Sequence, residues 1–361
     1  MLTADLDREL AAAISALAAD GQLPAAAAAL PPPAARGSWR PAPDGNPAGY
    51  ATSLPLRLAR LADRRPAEVA AAMAARIAAV PWVEAASPAG GYLTVSVTPQ
   101  ALAESAAAQA AAGLASANSI ILAGTAATAQ PWPDLAAEPG WQAAWQDHRT
   151  AMAGRLAQAA GATVSVLSCR ERSTSPSQPL VTTRSPAQMA ADYHGLSSVR
   201  YRLARTMPDQ VAQLGGAMQP GWAQSGRADP LYQVQQAHAA AAAALRWAND
   251  LGLASREPGE RLASGLRSAE EQDLLGLLSF LPVRVAAAAR RGQPHELPRY
   301  LEQVAECWQR CRLARPALPF GGQAARRDPA TVSARLVLAA AVQAVLAAGL
   351  ALAGVTASDR L

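Results

Sequence analysis

The chain contains no lysine, and all 32 of its basic residues are arginine. That absence excludes any step that needs a lysine nucleophile, a lysine Schiff base or the lysine of a phosphate-binding loop. Aromatic residues make up only 4% of 361 residues. Strand-forming residues are too sparse for an all-β protein, and alanine supplies much of the 51% that is apolar, a composition suited to close-packed helices. Three cysteines, Cys169, Cys307 and Cys311, are too few for a disulfide scaffold and point to a reducing, cytoplasmic compartment. Cys307 and Cys311 lie one helical turn apart with no further ligand nearby, so they read as a buried structural pair rather than a metal site. The four histidines, His148, His194, His238 and His295, form no metal-ligand spacing. A Gly-x-Ser-x-Gly elbow, a phosphate loop and a dinucleotide fingerprint are all missing. Asp5 and Asp7 stand where a secretory signal would carry basic residues.

What is present is unevenly charged. Of the net charge of +5, the stretch from Arg284 to Arg335 holds ten arginines against Glu296, Glu302, Glu306 and Asp328, and the remainder is close to neutral. A basic region near the C-terminus suits contact with RNA phosphates, and equally suits an ordinary solvated face.

In chain order, residues 1–22 predict a helix with Leu6, Leu10, Ile14 and Leu17 on one side. Residues 24–48, rich in Ala, Pro and Gly, read as a linker or long loop with little to bury. Two helical stretches follow, through Leu54, Leu58 and Leu61 and then from Pro66 to Val80. Val83 to Ala85 and Tyr92 to Val97 read as strands, the latter alternating, around a Gly90-Gly91 turn. Ile120 to Leu122 and Thr163 to Leu167 read as buried strands flanking a helix from Trp141 to Ala160, and residues 170–188 as a loop. Asp229-Pro230 then opens a long helix, with Leu231, Val234, His238, Ala241, Leu245 and Ala248 on one face and Gly252 at its end. Leu336 to Val355 is long and apolar enough to span a membrane, but its alanines, Gly349, Gly354 and Gln343 read better as a helix buried in a bundle. The fold class expected is α+β and mostly α: a small α+β domain at 1–99, a reduced α/β unit at 100–195 and a helical bundle at 196–361.

Several segments resemble arginyl-tRNA synthetases in that family's own order. Pro230, Tyr232, Val234, Gln235, Ala237, His238 and Ala239 match the family's Asn-Pro-x-Tyr-Tyr-Val-Gln-Tyr-Ala-His-Ala-Arg helix. Gly195 to Leu203 resembles its Asp-Ala-x-Arg-Tyr segment, and His295 to Leu301 its Pro-His-Arg-Leu-x-x-Tyr-Leu. Cys307 to Arg312 is similar to Phe-Tyr-Asn-x-Cys-Arg, and Arg335 to Leu361 to the terminal Arg-Leu…Gly-Leu…Arg-Met pattern. Tyr50-Ala51-Thr52 and Gly91-Tyr92-Leu93 resemble the motifs of the family's N-terminal add-on domain. The family's His-x-Gly-His signature corresponds here to Trp145 to Arg149, with one histidine and no glycine, and its second ATP signature depends on lysine.

The resemblance implies a C-terminal bundle of the class I synthetase anticodon-binding (DALR) type and a chain without ligase activity, catalytic residues, cofactor or metal. Its implied function is tRNA binding, with tRNA-Arg as the candidate partner. The implied contacts are Tyr232, Gln233, Gln236 and His238 on the opening helix, together with Arg290, Arg291, Arg299, Trp308, Arg310 and Arg312. Gln233 and Gln236 stand where the family has tyrosines and offer no ring for a base to stack on. His238 reads more readily as a helix-packing residue than as a base, and Trp308 suits a core position as well as a base contact. The alternative is an interaction protein that kept the fold and lost the RNA, pairing with a full synthetase or another enzyme, with no membrane involved. Residual chemistry on an aminoacyl-tRNA or adenylate is a third possibility.

Overall fold

A computed structural model describes residues 2–28, 39–115, 131–160, 184–216, 229–253, 262–318 and 328–361. Helix α1 (Leu2–Ala19) buries Leu6, Leu10, Ile14 and Leu17, the face that their spacing predicts. A single turn, α2 (Ala25–Ala28), follows. The linker expected over 24–48 is corrected at its end. Trp39–Pro41 forms strand β1, because Trp39 is a large apolar side chain whose indole N–H has a buried acceptor: it donates to Asp7 Oδ1 of α1 at 2.8 Å.

Strand β2 (Gly49–Thr52), helices α3 (Leu54–Ala62) and α4 (Pro66–Ile77), and strands β3 (Val83–Ala89) and β4 (Tyr92–Val97) complete the N-terminal domain. The sheet is antiparallel in the order β1-β2-β4-β3, with Tyr50 opposite Val95 and Val83 opposite Val97. Leu93, Val95 and Val97 alternate onto the buried face that α3 and α4 cover. β2, which the sequence offered only as a short motif, is therefore a central strand.

Helix α5 (Pro99–Ala115) and α6 (Trp141–Ala159) come next. The expected strands at Ile120 to Leu122 and Thr163 to Leu167 lie outside the described residues, as does Cys169. Helix α7 (Pro186–His194) begins inside the loop expected through 188, since the Ser185 hydroxyl accepts from the Gln188 N–H as an N-cap. Helix α8 (Leu196–Arg205) and a 3-10 stretch (Pro208–Gly216) lead to α9 (Pro230–Asp250), and α10 (Leu262–Gly265) follows. The chain closes with α11 (Ala269–Ser279), α12 (Leu281–Arg291), α13 (Glu296–Ala314) and α14 (Pro329–Leu352).

α14 runs through the bundle against α5, α9, α10 and α13. It is long and apolar enough to cross a membrane, but 72% of its apolar window is buried in the protein, so its hydropathy is that of a core helix. α5 packs along α14 and α11, while α8 packs on α6 and α7. Helices of the unit expected at 100–195 thus pack on helices of the bundle expected at 196–361. One apolar core runs from α1 through the sheet and α5 into the bundle. A smaller one gathers Leu135, Trp145, Ala190, Val199, Leu203 and Leu214.

Two polar devices hold the bundle. Ser268 and Glu271 form a capping box at the start of α11, and the buried Glu271 also accepts from Arg335 Nε of α14 at 2.7 Å. At the junction of the N-terminal domain and the bundle, the ring of Tyr50 stacks on Phe280 with centroids 5.0 Å apart. Its hydroxyl donates to Ser279 Oγ at 2.6 Å, whose own proton goes to the Gly276 carbonyl. Gly276 has to be glycine here, because a Cβ would lie 2.2 Å from the Pro47 carbonyl oxygen.

Candidate nucleic-acid interface

Asp229 caps α9, its carboxylate accepting from the Leu231 N–H at 3.0 Å, and Pro230 occupies the first turn. The apolar face that follows, Leu231, Val234, Ala237, His238 and Ala241, is buried. Tyr232, Gln233 and Gln236 therefore share the opposite side, Gln233 exposed and the other two half-buried. His238 does not belong to this strip. It is 3% exposed, with Nδ1 3.0 Å from the Ser358 carbonyl. Burial lowers its pKa, and the Ser358 carbonyl and the Asp359 carboxylate offset that only in part. Its role is to hold the C-terminal tail, which Arg246 also ties down by donating to the Asp359 carbonyl at 3.0 Å.

Beside the start of α9 lies a cleft of about 210 Å³ lined by Tyr201, Arg202, Arg205, Gln210, Gln213 and Asp229, among others. Arg205 is engaged by Glu302 of α13, Nε to Oε1 at 2.7 Å, and Tyr201 donates to the Pro298 carbonyl. Hydrogen bonding to Glu302 raises the Arg205 pKa, and burial raises that of Asp229. Through Glu302, the N-terminal half of α13 and the first turn of α9 sit at the same end of the bundle.

That end carries the basic corner. Arg290 and Arg291 finish α12, Gly292 ends it in the left-handed region, and Arg299 follows one turn into α13; all three arginines are exposed. Arg291 pairs with Glu296 at 3.1 Å, and Arg299 contacts Met207 Sδ. Arg149 of α6 joins them by donating to the Gly292 carbonyl at 2.6 Å. Burial lowers the pKa of His295, and Arg299 and Arg149 lower it further. Arg149 was not among the residues picked out from sequence, because it stands 141 positions before Arg290 and only the packing of α6 on α12 brings it there.

Arg310 and Arg312 do not join this corner. They lie 11 and 13 residues beyond Arg299 on α13, about 16–20 Å along a helix axis. Arg310 borders a separate cleft of about 330 Å³ between the Pro41–Gly49 segment and α11 and α13, which also contains Asp273 and Glu306. Trp308 is 3% exposed and packs in the core, so no face of its ring is open to a base. Of its two readings, core residue or base contact, the structure selects the core. Cys307 and Cys311 are buried free thiols beside it, and burial pushes Cys311 up to about 12. The exposed aromatic of α9 is Trp247 at its far end, 59% exposed. Sequence periodicity alone did not single it out.

Residues 234–361 match the DALR anticodon binding domain family. An arginine–tRNA ligase of Frankia alni is 39% identical over 171 residues, which cover 47% of this chain and 30% of that protein. The match therefore spans about a third of that relative's length. Two solved structures are also similar in part. The Thermus thermophilus arginyl-tRNA synthetase is 22% identical with a TM-score of 0.35, over 60% of this chain and 31% of its own. A putative arginyl-tRNA synthetase of Campylobacter jejuni is 14% identical with a TM-score of 0.34, over 48% of this chain and 35% of its own.

Proposed function

We propose that this chain, related to the arginyl-tRNA synthetases and carrying a DALR-type anticodon-binding domain, binds tRNA through that domain without ligating arginine to it. The observation that carries the reading is the match of residues 234–361 to an anticodon-binding family, on a bundle whose α9 strip and basic corner lie at one end. Tyr232, Gln233 and Gln236 are the groups offered to base edges, and Arg290, Arg291, Arg299 and Arg149 those offered to phosphates. With Trp308 in the core, base recognition rests on hydrogen bonds from the glutamines and on the half-buried Tyr232. The absence of lysine and of the His-x-Gly-His pattern supports a non-catalytic role, and tRNA-Arg is the first candidate ligand. Salt-dependent binding of tRNA together with no ATP–pyrophosphate exchange is the expected result; exchange dependent on arginine overturns the non-catalytic part.

A second reading, a protein-interaction relative without RNA, is favoured by Met189, Tyr193 and Leu196. They are 41%, 73% and 45% exposed and close together in sequence across the α7–α8 junction. A stoichiometric protein partner that survives nuclease treatment, with no tRNA affinity, selects it.

A further inference from the structure

Trp132, just before α6, lies nearly parallel to the buried imidazole of His148, with ring centroids 4.9 Å apart at 24°. The same indole carries two guanidinium groups. Arg155 Cζ of α6 is 4.4 Å from a ring centroid, and Arg200 Cζ of α8 is 5.9 Å away. Gly354, after α14, presses on it so closely that a Cβ would lie 2.8 Å from the ring. Arg200 donates to the Gly354 carbonyl at 3.4 Å. Beside this stack opens a cleft of about 500 Å³, bordered by Trp132, Arg155, Arg200, His238, Thr356 and Asp359, among others.

Among the described residues, the lining of the cleft carries two arginines against one carboxylate. A single cation suffices to use the face of an indole, and a second one held against the same ring adds repulsion. Burial lowers the pKa of both guanidiniums, and Arg200 lowers that of Arg155 further. Behind them, burial holds His148 neutral, with a pKa lowered to about 3. Among the described residues lining the cleft the one carboxylate is Asp359. Its side chain is 65% exposed, accepts from Gln343 at 3.3 Å and faces His238 at 3.9 Å. A guanidinium stacked on a ring keeps its N–H groups in its own plane, where they can form a fork for the oxygens of an anion.

We infer that this cleft holds a nucleotide phosphate, in the first instance a backbone phosphate of the bound RNA strand. Trp132, Arg155 and Arg200 all precede residue 234, so the site extends the interface beyond the matched anticodon-binding segment. The RNA source rests on the function proposed above, whereas the phosphate chemistry does not.

The test uses the full chain, titrated with labelled bulk tRNA at several salt concentrations and, separately, with AMP and inorganic phosphate followed by thermal shift. Arg155→Gln and Arg200→Gln should each weaken tRNA binding about five- to tenfold and reduce the salt slope by about 1. Arg200 also contacts the end of α14, so two further variants leave the packed ring untouched. Thr356→Glu should weaken binding by adding a negative charge to the lining, and Asp359→Asn should tighten it by removing one, each by a few fold. If the four variants change AMP and phosphate binding but not tRNA binding, the site stands and its ligand is a free nucleotide. If the wild type binds no tRNA, the proposed function falls, and the cleft is judged by the AMP and phosphate arm alone. If neither tRNA nor AMP and phosphate affinity responds to any of the four, the inference is overturned, whatever Arg299→Gln does to tRNA.

Discussion

Asp7→Asn and His148→Phe should unmask two proton linkages that nearly cancel in the native chain. Burial raises the Asp7 carboxyl from 3.8 to about 6, and the hydrogen bond from Trp39 only partly opposes it. The folded state therefore holds that proton more tightly than the unfolded chain does. Its contribution is full below pH 4 and is lost as pH rises towards 6. Burial, followed by the charge of Arg200, lowers His148 from 6.5 to about 3. The folded chain keeps it neutral, so its contribution is full above pH 6.5 and is lost on acidification. From pH 8 to pH 5, Asp7 should add at most about 1.4 kcal/mol and His148 should remove about 2 kcal/mol, so the two contributions nearly cancel as a pair. Asparagine keeps an acceptor for the Trp39 N–H, and phenylalanine keeps a ring against Trp132. Urea unfolding at pH 5 and pH 8 reads the difference. On acidification Asp7→Asn should lose about 1.4 kcal/mol more than the wild type does, and His148→Phe should lose about 2 kcal/mol less. Profiles of both variants parallel to the wild type would refute the reasoning.

Glu271→Ala removes a capping box and strands Arg335, so it should cost about 3–5 kcal/mol in urea unfolding, and a cost below 1 kcal/mol would sink that account. Gly276→Ala forces a methyl group onto the Pro47 carbonyl. It should cost about 1–3 kcal/mol and loosen the N-terminal domain from the bundle, read as earlier proteolysis between them; an unchanged cleavage pattern argues against the close approach. Trp308→Ala should cost about 3–5 kcal/mol as a core truncation, without altering the salt slope of any RNA binding by the variant that still folds.

The helices were legible where periodicity and caps agreed. α1 and α9 fall where the leucine spacing and Asp229-Pro230 place them, and β4, after the Gly90-Gly91 turn, lies where alternation puts it. β1 was not legible, because three residues in a Pro-rich stretch carry no period, and its anchor is a bond from Trp39 to a helix 32 residues earlier. α5 was hidden for a different reason: an alanine-rich run has little amphipathic contrast, and the packing of α14 defines its buried side. At the candidate interface, the resemblance groups His238 with Gln233 and Gln236, whereas the helical spacing puts it on the buried face of α9, where the structure has it. The arginines could be named from sequence but not sorted. The geometry of α13 divides Arg299 from Arg310 and Arg312, and the docking of α6 supplies Arg149. The Trp132 cleft draws on residues scattered from Trp132 to Asp359 and left no trace as a motif.

Binding of bulk tRNA to the purified full chain, measured from low to moderate salt alongside an Arg290→Gln/Arg299→Gln variant, addresses the central claim most directly. The account predicts binding by the wild type whose log affinity falls linearly with log salt, and a slope smaller by about 2 in the variant, whose fold is intact. Absence of binding at low salt, or an affinity indifferent to salt and to both arginines, would contradict it.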